Sequence, residues 1–187
     1  MSNLFIFESE ARSMIHRDGL ENLLSWLADS DFYTAPASTR YHGSQEGGLA
    51  LHSLAVYDWI FRIDNMLPLY EANIESMAIV SLFHDICKVG TYTIDYKNQK
   101  NPDTGIWERV PYYKYQDDSG FGSHGAKSAK IVSDFIKLTD EEYIAILHHM
   151  GAYDMSTYTV PSKAYEKYPL AWMLHCADEL ATFISKT

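Results

Sequence analysis

The stretch Ser81-Leu82-Phe83-His84-Asp85-Ile86-Cys87-Lys88-Val89-Gly90, led into by further apolar residues from Met77, most constrains the fold of this chain. Apolar side chains fall on nearly every side of it, as in a helix surrounded by others. A His-Asp pair inside such a helix is costly unless both groups are satisfied. A divalent metal satisfies both, because imidazole and carboxylate are good ligands for Mn, Fe, Co, Ni or Zn. A hydrogen-bonded core pair would also serve for the dipeptide alone. Gly90 is placed to stop the helix.

The rest of the chain reads as helices built around this one. Residues 4–16 are expected to be helical. Asp18 with Glu21 matches a capping box ahead of the stripe Leu20, Leu23, Leu24 and Leu27. An irregular loop rich in aromatics runs from Phe32 to Gly47-Gly48, and loops of that length are usually functional. A helix over residues 49–67 places His52 at the centre of its apolar stripe. The buried helix is expected over residues 73–88. His124 opens another helix, with Lys127, Lys130 and Lys137 on a solvated face. Thr139 and Glu142 form a second capping box, for a helix ending at Leu147-His148-His149-Met150-Gly151. An irregular loop then leads to a last helix over residues 169–185. Asp178 lies at the edge of that helix's apolar stripe, with His175 one turn back as its candidate cation partner.

Residues 91–118 break the helical pattern. Tyr92, Ile94 and Tyr96 alternate with polar residues, and so, loosely, do Trp107, Val110, Tyr112, Tyr113 and Tyr115. The turn-forming stretch 98–105 separates them, so a β-hairpin arm is expected. Two strands cannot bury a core of their own. The arm must therefore pack on the domain, on a partner or over a site. It offers one route to an oligomer.

The chain has 187 residues, enough for one domain with a single core. A net charge of −10 disfavours long nucleic acid as a partner. No segment has the apolar length of a membrane helix, and the N-terminus lacks the basic region of a signal peptide. Cys87 and Cys176 then read as reduced thiols in a cytoplasmic protein.

His52, His84-Asp85, His124, His148-His149 and Asp178 sit on successive helices, either facing inward or at an end. In this order they resemble the HD-domain superfamily of metal-dependent phosphohydrolases. The resemblance covers Gly47-Gly48-Leu49-Ala50-Leu51-His52, His84-Asp85 with Lys88 and Gly90, Ser123-His124-Gly125, His148-His149-Met150-Gly151 and Leu174-His175-Cys176-Ala177-Asp178. It is strongest to the branch of HD-type 3′–5′ exoribonucleases and phage-borne HD hydrolases. Cys87 stands where the family often has glycine. The absence of Gly-Tyr-Pro after His149 argues against the cyclic-di-GMP branch.

The resemblance implies an all-α HD-domain bundle with an inserted hairpin arm and one or two divalent transition metals. His52, His84, Asp85 and Asp178 would hold one metal. Asp85 would bridge to a second, held by His124 and His148. A metal-activated hydroxide would attack the phosphoester of a nucleotide or short oligonucleotide. Asp85 and Lys88 are the catalytic candidates, and Lys88, Arg40, His42 and His149 the substrate-binding ones. Two other functions fit the same ligand order: a di-iron oxygenase of the HD fold, and a non-enzymatic metal-binding module.

Overall fold

A computed structural model of the chain describes residues 3–39, 43–66, 71–117, 120–121, 123–153 and 161–185. Arg40 and His42 lie outside the described residues. The described part is mostly helical, with one antiparallel hairpin, as expected of an HD bundle. No helix in it is long and apolar enough to cross a membrane.

Helix α4 (Ile74–Phe83) is the axis of the bundle. Asn73 caps it by accepting the Ser76 amide, and every residue from Ser76 onward is buried. A helix apolar on all sides needs neighbours on all sides. They are α1 (Asn3–Met14), α3 (Gly48–Met66), α6 (Asp140–His148) and α8 (Pro169–Leu180). Helix α2 (Leu20–Ala28) adds Leu20, Leu23, Leu24 and Leu27 to the same core.

The α-helical part of the central element ends earlier than expected. His84 is the last residue with helical geometry, Asp85 turns away at φ −107°, and a 3₁₀ turn spans Ile86–Lys88. The Ser81 carbonyl, which a continuing helix would offer to the residue 85 amide, is met by His84 Nδ1 at 2.9 Å. Gly90 follows at φ 69° and donates its amide to Asp31 Oδ1 at 2.8 Å.

The Thr139–Glu142 capping box is formed as expected. The Asp18–Glu21 box is not. Gly19 occupies the cap position of α2 at φ 92°, with no side-chain cap. Its bare Cα lies against the Phe135 carbonyl, where any Cβ would collide. The approach of the two backbones therefore sets this helix start, not a capping side chain. The stretch before Pro169 also differs from the irregular loop expected. It contains helix α7 (Pro161–Lys167), which opens on proline, the residue best suited to a first helical position.

The arm consists of β1 (Tyr92–Lys100) and β2 (Trp107–Tyr115), paired from Tyr92↔Tyr115 to Lys100↔Trp107. At the turn, Asn101 Oδ1 accepts the amides of Asp103 and Thr104. The base of the arm is tied to the bundle through Tyr92, whose hydroxyl donates to the Ala37 carbonyl at 3.1 Å. Helix α5 (His124–Ser133), capped by Ser123, packs on α6 and on the 3₁₀ turn.

Candidate metal centre

Four elements bring five side chains together. His52 comes from the middle of α3, where the apolar stripe faces inward. His84 and Asp85 follow α4. His149 follows α6, and Asp178 lies on α8. All five are buried. His52 Nε2 is 3.0 Å from Asp178 Oδ1 and 3.4 Å from His84 Nε2. Asp85 Oδ2 is 3.6 Å from His84 Nε2 and 3.8 Å from His52 Nε2. His84 Nε2 is 3.9 Å from Asp178 Oδ1. His149 Nε2 approaches Asp85 Oδ1 at 3.5 Å.

The backbone sets the tautomers. His84 and His149 are each the first residue after a helix, and each turns Nδ1 to the carbonyl three residues back. These contacts are His84 to Ser81 at 2.9 Å and His149 to Ile146 at 2.7 Å. A carbonyl only accepts, so both Nδ1 atoms carry hydrogen, and each ring turns its Nε2 to the carboxylates. Lone pairs facing carboxylate oxygens require a cation or a proton between them.

The electrostatics distinguish the members. Burial pushes the His84 pKa down to about 4, despite Asp85 and Asp178, so this ring is neutral at ordinary pH. Burial also works against charge on both carboxylates. It is outweighed at Asp85 by Lys88, His84 and His149, and at Asp178 by His52, His84 and His149. Both acids are held below the usual carboxylate range. At His149 burial opposes charging, but Asp85 outweighs it and raises the pKa. Even so, Asp85 Oδ1 and His149 Nε2 have no hydrogen-bond partner. Buried polar atoms in native folds are rarely left this way. Imidazoles and carboxylates converging within 4.8 Å fit a divalent transition metal, as His52-His84-Asp85 and as His84-His149-Asp178.

A family model described as HD domain matches residues 49–182. The chain belongs to the HD-domain family. No similar curated protein or solved structure was found. HD domains form a superfamily of metal-dependent phosphohydrolases, and the buried His/Asp groups of this HD domain could hold the metal.

Several residues stand differently from expectation. His149, not His148, faces Asp85, because the α-helix ends at His148 and the next ring folds back onto Ile146. Neither convergent donor group includes His148 or His124. His124 Nε2 lies 3.2 Å from the Tyr115 hydroxyl at the arm's base. His175 was the expected partner of Asp178. Its Nδ1 instead donates to the His149 carbonyl at 2.7 Å, and the Tyr165 hydroxyl donates to the His148 carbonyl at 3.0 Å. These two contacts brace the turn that carries His149.

Lys88 was expected to need an external anion. It already has an internal one, since Nζ lies 2.5 Å from Asp85 Oδ2. Lys127 is not on a solvated face: its side chain is 11% exposed and pairs with Asp117 at 3.2 Å. The sequence also did not single out Tyr92 and Tyr115 as border residues of the site. Burial raises the Tyr92 pKa to about 12, and the charges of Lys88 and Asp85 also reach its hydroxyl. The alternation that put both tyrosines at one end of a hairpin was the available signal.

Proposed function

We propose that this HD-domain protein hydrolyses a phosphoester in a nucleotide or short oligonucleotide. In this reading His52, His84, Asp85 and Asp178 hold one divalent ion, and His149 stands beside it. The observation that carries the reading is the pair of rings fixed by Ser81 and Ile146, whose Nε2 atoms face two carboxylates inside an apolar bundle. A divalent ion there supplies positive charge to polarise a phosphoryl oxygen and to acidify water.

The chain's own groups do the rest. Asp85 presents Oδ2 towards His84 and Lys88, and Oδ1 towards His149. Lys88 therefore holds one oxygen of Asp85 in place while the other stays turned to His149. Lys88 contacts Asp85 from the half-buried border of the cluster, and in this reading it would also meet a phosphoryl oxygen. Tyr92 and Tyr115 stand at the base of the arm, beside Lys88 and His124.

One experiment joins elemental analysis to a screen of phosphatase and phosphodiesterase substrates. It uses protein reconstituted with Mn, Fe, Co, Ni or Zn. Turnover of at least one nucleotide ester is expected with one of these ions. An iron-loaded protein that consumes oxygen and cleaves no phosphoester would instead support the oxygenase reading. Replacing Lys88 with methionine keeps the aliphatic stem and removes the charge. Turnover should fall on the order of 10²-fold, the scale of one lost electrostatic stabiliser, with metal retained. Unchanged turnover would place the phosphate contact elsewhere.

A further inference from the structure

The hairpin arm sorts its residues by face. Side chains alternate along a strand, so the pairs Tyr92–Tyr115, Ile94–Tyr113, Tyr96–Pro111, Asn98–Arg109 and Lys100–Trp107 share one side. Both charges on that side, Lys100 and Arg109, are positive. The strand acids Asp95 and Glu108 point to the other side, with Lys97 and Lys114. This sorting stands out on a chain with net charge −10.

The aromatic face begins at the border of the metal centre, where the charges of Lys88 and Asp85 reach the Tyr92 hydroxyl, and runs outward. At the base Tyr92 packs on Tyr115 (5.7 Å between ring centres) and on Tyr113 (6.3 Å), and Tyr115 contacts His124. Further out, the bundle no longer covers the face. Ile94, Tyr96 and Trp107 are 63%, 52% and 68% exposed. The Arg109 guanidinium lies 4.7 Å over the Tyr96 ring. Between the arm and the loop before α3 is a cavity of about 320 Å³, lined by Ile94, Pro111 and Tyr113 of this face, by Tyr112 of the other, and by Thr39 and Ser44. A hairpin normally buries its apolar face to be stable. This one holds only its base against the bundle and leaves flat rings and cations outside.

We propose that this face is a stacking track for a short single-stranded oligonucleotide running out from the metal centre. Bases would lie on Tyr96 and Trp107 and in the cavity at Tyr113, while Arg109 and Lys100 meet phosphates. Aromatic rings with interleaved cations are the usual means of holding single strands without reading sequence. The track names the substrate class of the phosphohydrolase reading and rests on it for the chemistry at the inner end. A second copy of the chain is disfavoured as the occupant. Two copies meeting through this face would bring like charges together with no acid on it to pair them.

The test measures binding of fluorescein-labelled RNA and DNA single strands, from dinucleotide to octanucleotide, in EDTA so that binding is read without turnover. The octanucleotide should bind roughly tenfold or more tightly than the dinucleotide. Tyr96→Ala and Trp107→Ala should each remove most of that advantage. Arg109→Ala should weaken octanucleotide binding and flatten its salt dependence. The RNA and DNA series show which sugar the track accepts. All three positions lie on the outer arm, so circular dichroism and metal content should match wild type.

Equal affinity for all lengths, or wild-type binding by the arm variants, would overturn the proposal. So would a self-associating wild type that Trp107→Ala turns into monomers with oligonucleotide binding unchanged. Length-dependent binding by a protein whose metal-loaded form hydrolyses no phosphoester would support the track and remove only the hydrolase reading.

Discussion

Among the described residues, the charged centres around Glu142 and Asp85 are both buried in the bundle, and they are finished to different degrees. The first joins the loop after α1, helix α4 and helix α6 around Glu142. Glu142 Oε1 accepts from Arg17 Nη2 and the Ser76 hydroxyl, both at 2.6 Å. Its Oε2 accepts from Arg17 Nη1 at 2.6 Å and the Thr139 amide at 2.7 Å. Arg17 also reaches Glu75 at 3.1 Å. Both carboxylate oxygens are fully engaged within the protein. The second centre, around Asp85, leaves Asp85 Oδ1 and His149 Nε2 facing each other at 3.5 Å, with no closer hydrogen-bond partner for either. A completed network locks elements together, whereas a converging but incomplete one marks where something else binds. Burial alone does not separate the two, because both are buried. The count of satisfied atoms does.

The largest effect should come from the incomplete centre. Asp85→Ala should lose most bound metal and lower phosphoester turnover on the order of 10³-fold. An Asp85→Ala protein that keeps wild-type metal content and turnover would show that the ion is held elsewhere.

The completed centre should respond in the opposite way. Glu142→Ala leaves Arg17 without its buried partner and should cost on the order of 3 kcal/mol in denaturant unfolding. Metal stoichiometry of the folded fraction should be unchanged. Loss of metal without loss of stability would exchange the roles of the two centres.

A pH titration sharpens the same contrast. Burial works against the Glu142 charge, but Arg17, Ser76 and Thr139 outweigh it, so its pKa in the folded protein lies below the ordinary 4.5. Its stabilising contribution is therefore complete above that value and lost as pH falls through the lower, folded value. Wild type should lose stability over that acid window more steeply than Glu142→Gln, as read by unfolding midpoints against pH. Parallel curves would show that the carboxylate is not held in this way.

The smallest effect concerns the brace behind His149. Tyr165→Phe removes the hydroxyl that donates to the His148 carbonyl and should cost about 1 kcal/mol of stability. It should also weaken metal affinity measurably. Glu142→Ala, at a larger cost in stability, should not.

The residues that carry periodicity were legible in the sequence. The all-round apolar pattern of α4, the stripe holding His52, the capping box at Thr139 and the alternation in the arm each produced the element expected. What escaped was decided by contacts between distant segments. Gly19 starts α2 because Phe135 lies against it, which no local pattern reveals. The choice between His148 and His149 depends on where α6 ends and on a ring folding back to Ile146. The partner of Lys88 depends on the α-to-3₁₀ transition at Asp85, which moves the lysine onto the carboxylate. His175 sits one turn from Asp178 in sequence, yet it is claimed by a carbonyl from another helix end.

In the proposed function the incomplete centre holds a divalent ion through His52, His84, Asp85 and Asp178. Elemental analysis of purified wild type and Asp178→Ala, side by side, tests it most directly. About one equivalent of a transition metal per chain is expected in wild type, and about a tenth of that or less in the variant. A wild type that retains no metal after reconstitution, or an Asp178→Ala protein that retains as much as wild type, would contradict it.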